Sequence, residues 1–184
     1  MNIFVLDYSP VTAAIHMVDD HVKSKMIVES AQILSNCFTE DQLAHPSCPR
    51  TQKKGTVRKH SYPHHPCCKW IRESKDNMRW LIHHANSLEI ERMNRWIINN
   101  PNETCPAHFS MAFIDWCDVN LKRANVPDVP MTPFVQCMPD EYKNPDPVIA
   151  YRNYYSYGKK ALHKWTRNKP FWLGLDPMTK YSFV

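Results

Sequence analysis

Three glycines in 184 residues leave the backbone almost no place to turn left-handed without strain. Phosphate-cradling loops, dinucleotide-binding turns and many-turned all-β folds need such places, so the sequence argues against all three. Prolines, by contrast, number fifteen. Proline suits the first turn of a helix and extended connections, and it breaks helix interiors and central strands. Its placement therefore marks out the architecture. Pro10, Pro66, Pro106 and Pro147 each stand where a helical hydrophobic period begins, and most of the others fall in residues 39–65 and 125–146.

Ser9-Pro10 reads as an N-cap followed by proline at the first helical position. Val11, Ile15, Val18, Val22, Met26, Ile33 and Leu34 then recur at helical spacing, which predicts a helix over 10–37. A second helix is expected over 66–99, burying Trp70, Ile71, Met78, Leu81, Ala85, Leu88 and Trp96. A third is expected over 106–124, with Phe109, Phe113, Trp116 and Leu121 inside, and a fourth over 147–165, kinked at Gly158. Asn2–Leu6 reads as a short strand or extended arm ending at Asp7. The expected fold is mainly α: a single compact helical domain over 1–184 with an N-terminal extended arm. Two long proline-rich connections and an irregular tail over 169–184 complete it.

The termini and the cysteines bear on compartment. The N-terminus lacks the basic region and apolar run of a signal peptide, and no stretch approaches the ~18 apolar residues of a membrane span. Seven cysteines, odd in number and without a C-x-x-C pair, argue against a disulfide framework and fit a reducing cytosol. The net charge of +5 permits an anionic partner.

Polar residues on the helices supply candidates for chemistry. His21, Lys25 and Glu29 follow one another at i, i+4, i+8, which puts them on one helix face. A lysine beside a carboxylate in a partly dry pocket can lose its proton and serve as an amine nucleophile; a solvated ion pair is the competing reading. His16, Asp20 and His21, or His60, His64 and His65 with Cys67 and Cys68, hold metal-ligand types, but no spacing among them matches a standard site. Structural histidines are the plainer reading, and no metal or cofactor is assigned. On helix two, Asn77, Leu81, His84, Leu88 and Glu91 share a face, and its polar members need partners if buried.

Basic charge gathers at Arg50, Lys53, Lys54, Arg58 and Lys59, just ahead of the aromatic helix start His65–Trp70. Phosphate contacts from these residues, His65, Arg72 and Arg152, with Tyr62, Trp70 or Tyr154 stacking on bases, would make a nucleic-acid groove. A solvated basic loop and core aromatics are the competing reading.

Several segments together carry a resemblance. M-N-I-F-V-L-D at the start, K-M-I-V-E-S-A-Q-I-L at 25–34 and H-P-C-C-K-W-I-R-E-S-K-D-N at 65–77 belong to one pattern. T-P-F-V-Q-C-M-P-D-E-Y-K at 132–143 and A-Y-R-N-Y-Y at 150–155 complete it. The pattern resembles a family of small tailed-bacteriophage proteins. A fainter resemblance is to phage pyrimidine-dimer DNA glycosylases of the endonuclease V type, through Asp20-His21, Glu29 and the aromatic, basic stretch 154–159. That resemblance implies a small helical enzyme in the cytoplasm of an infected bacterium, with DNA as partner and the N-terminal amine as nucleophile. Asn2 is too large for efficient removal of the initiator Met, so here the amine of Met1 or of Lys25 would take the role.

The resulting expectation is a DNA-metabolism enzyme acting on a base or its glycosidic bond. Lys25 attacks the sugar carbon, Glu29 or Asp7 supports the developing positive charge and moves protons, and His21 stands beside them. The alternatives are a non-catalytic nucleic-acid-binding protein and a metal-dependent enzyme acting on nucleotides.

Overall fold

Four apolar residues at the chain start, Ile3–Leu6, are all at or below 3% exposure, and the rest of the fold closes around them. A computed structural model describes residues 1–52 and 54–174. Among them there is no strand, and the helices α1 Pro10–Ile15, α2 Met26–Leu34, α3 Glu40–Ala44 and α4 Pro66–Trp70 form the first half. The long α5 Lys75–Asn99, α6 Met111–Val119 and α7 Pro147–Asn153 follow. The chain is a mainly helical, compact single domain, as its proline placement implied. The expected tail lies mostly in residues 175–184, outside the described residues.

Helix α5 is the axis against which α1, α2 and α6 pack. Its buried face runs through Asn77, Met78, Leu81, His84, Ala85 and Leu88 to Glu91 and Arg95. The last two replace the expected Trp96, which is only half-buried. Each proline start is confirmed locally except one. Ser9, His65 and Asp146 cap α1, α4 and α7 ahead of their prolines, whereas α6 begins at Met111, not at Pro106.

Two expected long helices are broken, without proline or glycine. The first stops at Ile15 because Arg95 takes the carbonyls of Ile15 and Met17, at 3.0 and 2.8 Å, while the indole of Trp165 takes that of His16. The second breaks over residues 71–73, and Ser74 restarts it by accepting the N–H of Asp76. Beyond the first break a π turn spans His21–Lys25, in which the N–H of Met26 reaches back to the carbonyl of His21. A π turn holds one residue more than an α turn, so His21 is rotated by about 100° from its α-helical position relative to Glu29. A second π turn, Tyr154–Gly158, prolongs α7. A Cβ on Gly158 would meet the Tyr154 ring at 2.5 Å.

The proline-rich segment 125–146 is largely extended and is interrupted by one 3₁₀ turn, Asp140–Tyr142. It is tied to the start of α5: Pro127 accepts the N–H of Lys75, and Asn77 exchanges bonds with the backbone and hydroxyl of Thr132. Asn2–Leu6 pairs with no strand. The Asn2 carboxamide accepts the N–H groups of Ile3 and Phe4, and Arg152 donates to the Leu6 carbonyl. Phe4 sits at φ +40°, a strained value for a bulky residue, held by ring contacts with His21, Tyr151, Tyr154 and Tyr155.

Arg95 is the most committed polar group in the interior. Besides the two carbonyls it donates to Glu91 and to Asp19, both at 2.9 Å. Arg95→Ala would leave Glu91, with a side chain only 2% exposed, short of its main partner. The expected loss is about 3–5 kcal/mol of unfolding free energy, the range for breaking a buried pair, measured by urea denaturation.

Candidate functional site

Glu29 lies on α2, partly buried, with a different partner from the one its spacing suggested. Its Oε2 accepts the backbone N–H of Asn2 at 2.8 Å, and its Oε1 stands 3.8 Å from the Met1 amine. Lys25 is exposed and makes no ion pair with it among the described residues. His21 is also elsewhere: it is buried, its Nδ1 is 2.8 Å from the Tyr155 hydroxyl, and its ring is stacked on Phe4 at 4.7 Å. The π turn is the cause, because it swings His21 inward and separates the i, i+4, i+8 set.

Asn2 positions the amine. Its side chain accepts the next two N–H groups and donates to the Cys137 carbonyl at 2.8 Å, while its own N–H is on Glu29. The Met1 side chain is 4% exposed, yet the residue as a whole is partly exposed. Its exposure is therefore on its main-chain atoms. Around this corner stand His65, Cys67, Cys68 and Cys137. The Sγ atoms of Cys67 and Cys137 are 3.4 Å apart, and Cys68 Sγ is 3.5 Å from the Met1 sulfur. The hydrogen bond between the two thiols pushes Cys67 up and holds Cys137 down, where the Met1 amine and Lys143 add their positive charge. Burial raises Cys68 to about 11. The helix start therefore does not activate Cys67 or Cys68 as nucleophiles, because burial and the thiol pair outweigh it.

Beside this corner a cleft of about 580 Å³ runs between α2 and the basic loop. Val28 and Gln32, which flank Glu29 in the sequence of α2, line one wall, with Ala31 and Ser35. Lys54, Arg58, Lys59 and Ser61 line the other, and Phe109 and Ser110 close one side. Ser61 links cleft and corner, since its carbonyl accepts from Cys68 Sγ at 3.4 Å.

Several expected binding residues are occupied elsewhere. Trp70 is 2% exposed and packs on Trp80 and Phe134, so it belongs to the core and stacks on no base. Asp7 and Arg152 pair with each other at 3.0 Å, and Arg152 also holds the Leu6 carbonyl, so both secure the arm. Tyr154 is packed among Phe4, Tyr142 and the Lys159 ammonium. Arg72 donates to the Pro63 carbonyl and ties down the loop ahead of α4. Arg58 donates to the Pro49 carbonyl and lies over the Phe113 ring at 4.1 Å, and Arg50 donates to the Ala44 carbonyl. The start of α4 is no anion site either: His65 Nδ1 already accepts the Cys67 N–H at 3.2 Å. Lys54 and Lys59 are exposed at the cleft; Lys53 lies outside the described residues. His21, Lys25, Glu29 and Arg72 are not among the residues lining the cleft, so the expected catalytic residues do not gather with the basic loop in it.

Sequence reasoning missed Phe109, assigned to a helix interior but 45% exposed at the cleft, and Cys137, whose partners are about seventy residues away. It also missed Asn2 as the residue that orients the chain start. His65 and Cys67 meet Cys137, with one donor atom of each within 4.8 Å of the others. The His16–Asp20–His21 set does not converge: Asp20 is exposed, and His16 accepts from the Trp172 indole at 3.3 Å. Comparison of the chain with protein-family models, with curated proteins and with solved structures returned no match. All seven cysteines are free, and no helix among the described residues is long and apolar enough to cross a membrane.

The buried histidines set a pH dependence. Burial, with the Lys25 and Lys159 charges, pushes His21 down to about 3, and burial alone does the same to His84. In the unfolded chain both would protonate near pH 6.5. Their contribution is therefore intact above about pH 6.5 and is lost as pH falls toward about 3, at ~1.4 kcal/mol per pH unit for each histidine. Urea denaturation between about pH 7 and pH 5 should show this decline, and His84→Leu should remove about half of the part due to this pair.

Proposed function

We propose that this chain is an enzyme acting on a base or glycosidic bond of a nucleic acid, DNA first, with the Met1 amine as nucleophile. The observation that carries the reading is the placement of that amine 3.8 Å from Glu29 Oε1, while Glu29 Oε2 holds the Asn2 N–H. Glu29 takes the proton the amine must lose. The amine lone pair then bonds to the sugar C1′, the glycosidic bond breaks, and the base leaves with the electron pair. The departing base takes a proton from the nitrogen that has become charged. The C1′–O4′ bond then breaks as the nitrogen lone pair forms a protonated imine, Glu29 returns its proton to O4′, and the carboxylate so restored supports the iminium charge.

The neighbouring cleft supports a polyanionic substrate. Lys54 and Lys59 supply positive charge, and the exposed ring of Phe109 offers a stacking face. A base must leave the duplex before its bond to sugar can be reached, and stacking offsets part of that cost. Relative to the sequence expectation, the nucleophile moves from Lys25 to Met1, and Glu29 keeps its role.

Borohydride trapping tests this. Protein with a free Met1 amine is incubated with DNA carrying an abasic site, a pyrimidine dimer or a modified pyrimidine. A covalent adduct mapping to Met1 by peptide mass spectrometry is expected. Glu29→Gln should lower the trapping rate by roughly 10²–10⁴-fold, the usual worth of a general acid–base group, and Lys25→Ala should leave it unchanged. Absence of an adduct with every substrate would reject the amine mechanism. Salt-sensitive DNA binding without an adduct would leave a nucleic-acid-binding protein instead.

A further inference from the structure

His65, Cys67 and Cys137 come from two segments about seventy residues apart, yet one donor atom of each falls within 4.8 Å of the other two. Imidazole nitrogen and paired thiolate sulfurs are the donor set that selects a borderline divalent ion such as zinc. At a Zn–S length of about 2.3 Å, tetrahedral coordination places two sulfurs about 3.8 Å apart. The Cys67 and Cys137 sulfurs are 3.4 Å apart, so that pair need open by only a few tenths of an ångström, and the imidazole, within 4.8 Å of them, turns in to complete the set.

The imidazole is prepared in the same sense. His65 Nδ1 accepts the Cys67 N–H at 3.2 Å, so its lone pair, not a proton, faces the cysteine side. Both segments are anchored independently. Cys67 belongs to α4, and the Cys137 backbone is held by the Tyr151 hydroxyl and the Asn2 carboxamide. His65 and Cys137 are partly exposed, which gives an ion a path in.

We propose that His65, Cys67 and Cys137 bind a zinc-class divalent ion, with the fourth position left to water or to a group brought by a ligand. Three protein ligands and one open position are the arrangement of catalytic zinc sites, in contrast to the closed four-ligand structural ones. The site stands beside the Met1–Glu29 corner but does not depend on the amine mechanism. A bound ion would tie α4 and the proline-rich segment to the chain start.

The test is metal binding, read without any activity. Reduced protein is titrated with zinc alone and then with cobalt(II). One equivalent should bind, and the cobalt form should show the thiolate charge-transfer and tetrahedral visible bands. His65→Ala, Cys67→Ser and Cys137→Ser should each weaken zinc binding by more than about 100-fold, beyond the 10–100-fold usual for residues behind the ligands. Cys105→Ser, remote in sequence from the trio, should leave it unchanged. In the unmutated protein, zinc should protect Cys67 and Cys137 from alkylation relative to the other thiols, a readout that stands even if a variant misfolds. Failure to bind one equivalent, a cobalt spectrum without thiolate bands, or equal alkylation with and without zinc would each overturn the proposal. Trapping at Met1 would be untouched by any of these results.

Discussion

An extended segment drawn into a helical core has no neighbouring strand to satisfy its backbone, and an unpaired polar group there costs about 1–3 kcal/mol. The chain start of this protein meets that constraint with side chains. Asn2 caps the N–H groups of Ile3 and Phe4, Glu29 takes that of Asn2 itself and Arg152 donates to the Leu6 carbonyl. Burial of Ile3, Phe4, Val5 and Leu6 supplies the driving force, since a fully buried side chain of this size is worth about 1.5–3 kcal/mol. Everything that distinguishes the candidate site follows from that arrangement: the amine is delivered to a carboxylate, beside two thiols and an imidazole, because the arm enters there.

The interior is polar in a second place for a related reason. Arg95 ends α1 by claiming carbonyls that the helix would otherwise use, and Asp19 then binds Thr166 as well as Arg95. A buried guanidinium needs acceptors on all its faces, and backbone carbonyls at a helix end are the nearest supply. The break is thus a requirement of α5, expressed in a different helix.

This explains what was legible in the sequence and what was not. Helical character, the proline starts at Pro10, Pro66 and Pro147, and the buried α5 face from Asn77 to Glu91 follow from local periodicity and capping. The helix break at Ile15 does not, because Arg95 and Trp165 impose it through tertiary contacts; the break after Trp70 is marked locally, by Ser74 capping the helix that restarts there. Glu29 was identified by its residue type but paired with Lys25, because no local spacing shows that the chain start reaches its carboxylate. His21 left the set because helical spacing assumes an uninterrupted α pattern and the π turn His21–Lys25 violates it. Cys137 carried no local signal at all. Its importance rests on packing across about seventy residues, which no spacing rule reaches.

The basic loop divides its cations by type. Its arginines, Arg50 and Arg58, are bound to carbonyls of their own neighbourhood, and Arg58 is also folded onto an aromatic ring. Lys54 and Lys59 are what the cleft offers to solvent. Guanidinium forks grip an oxyanion in a fixed plane, whereas ammonium groups on flexible stems act as point charges. An anion entering this cleft would be attracted from a distance but not oriented by the loop. Orientation would have to come from the Phe109 ring and from the rigid wall of α2, so the cleft gathers charge on one side and reads shape on the other.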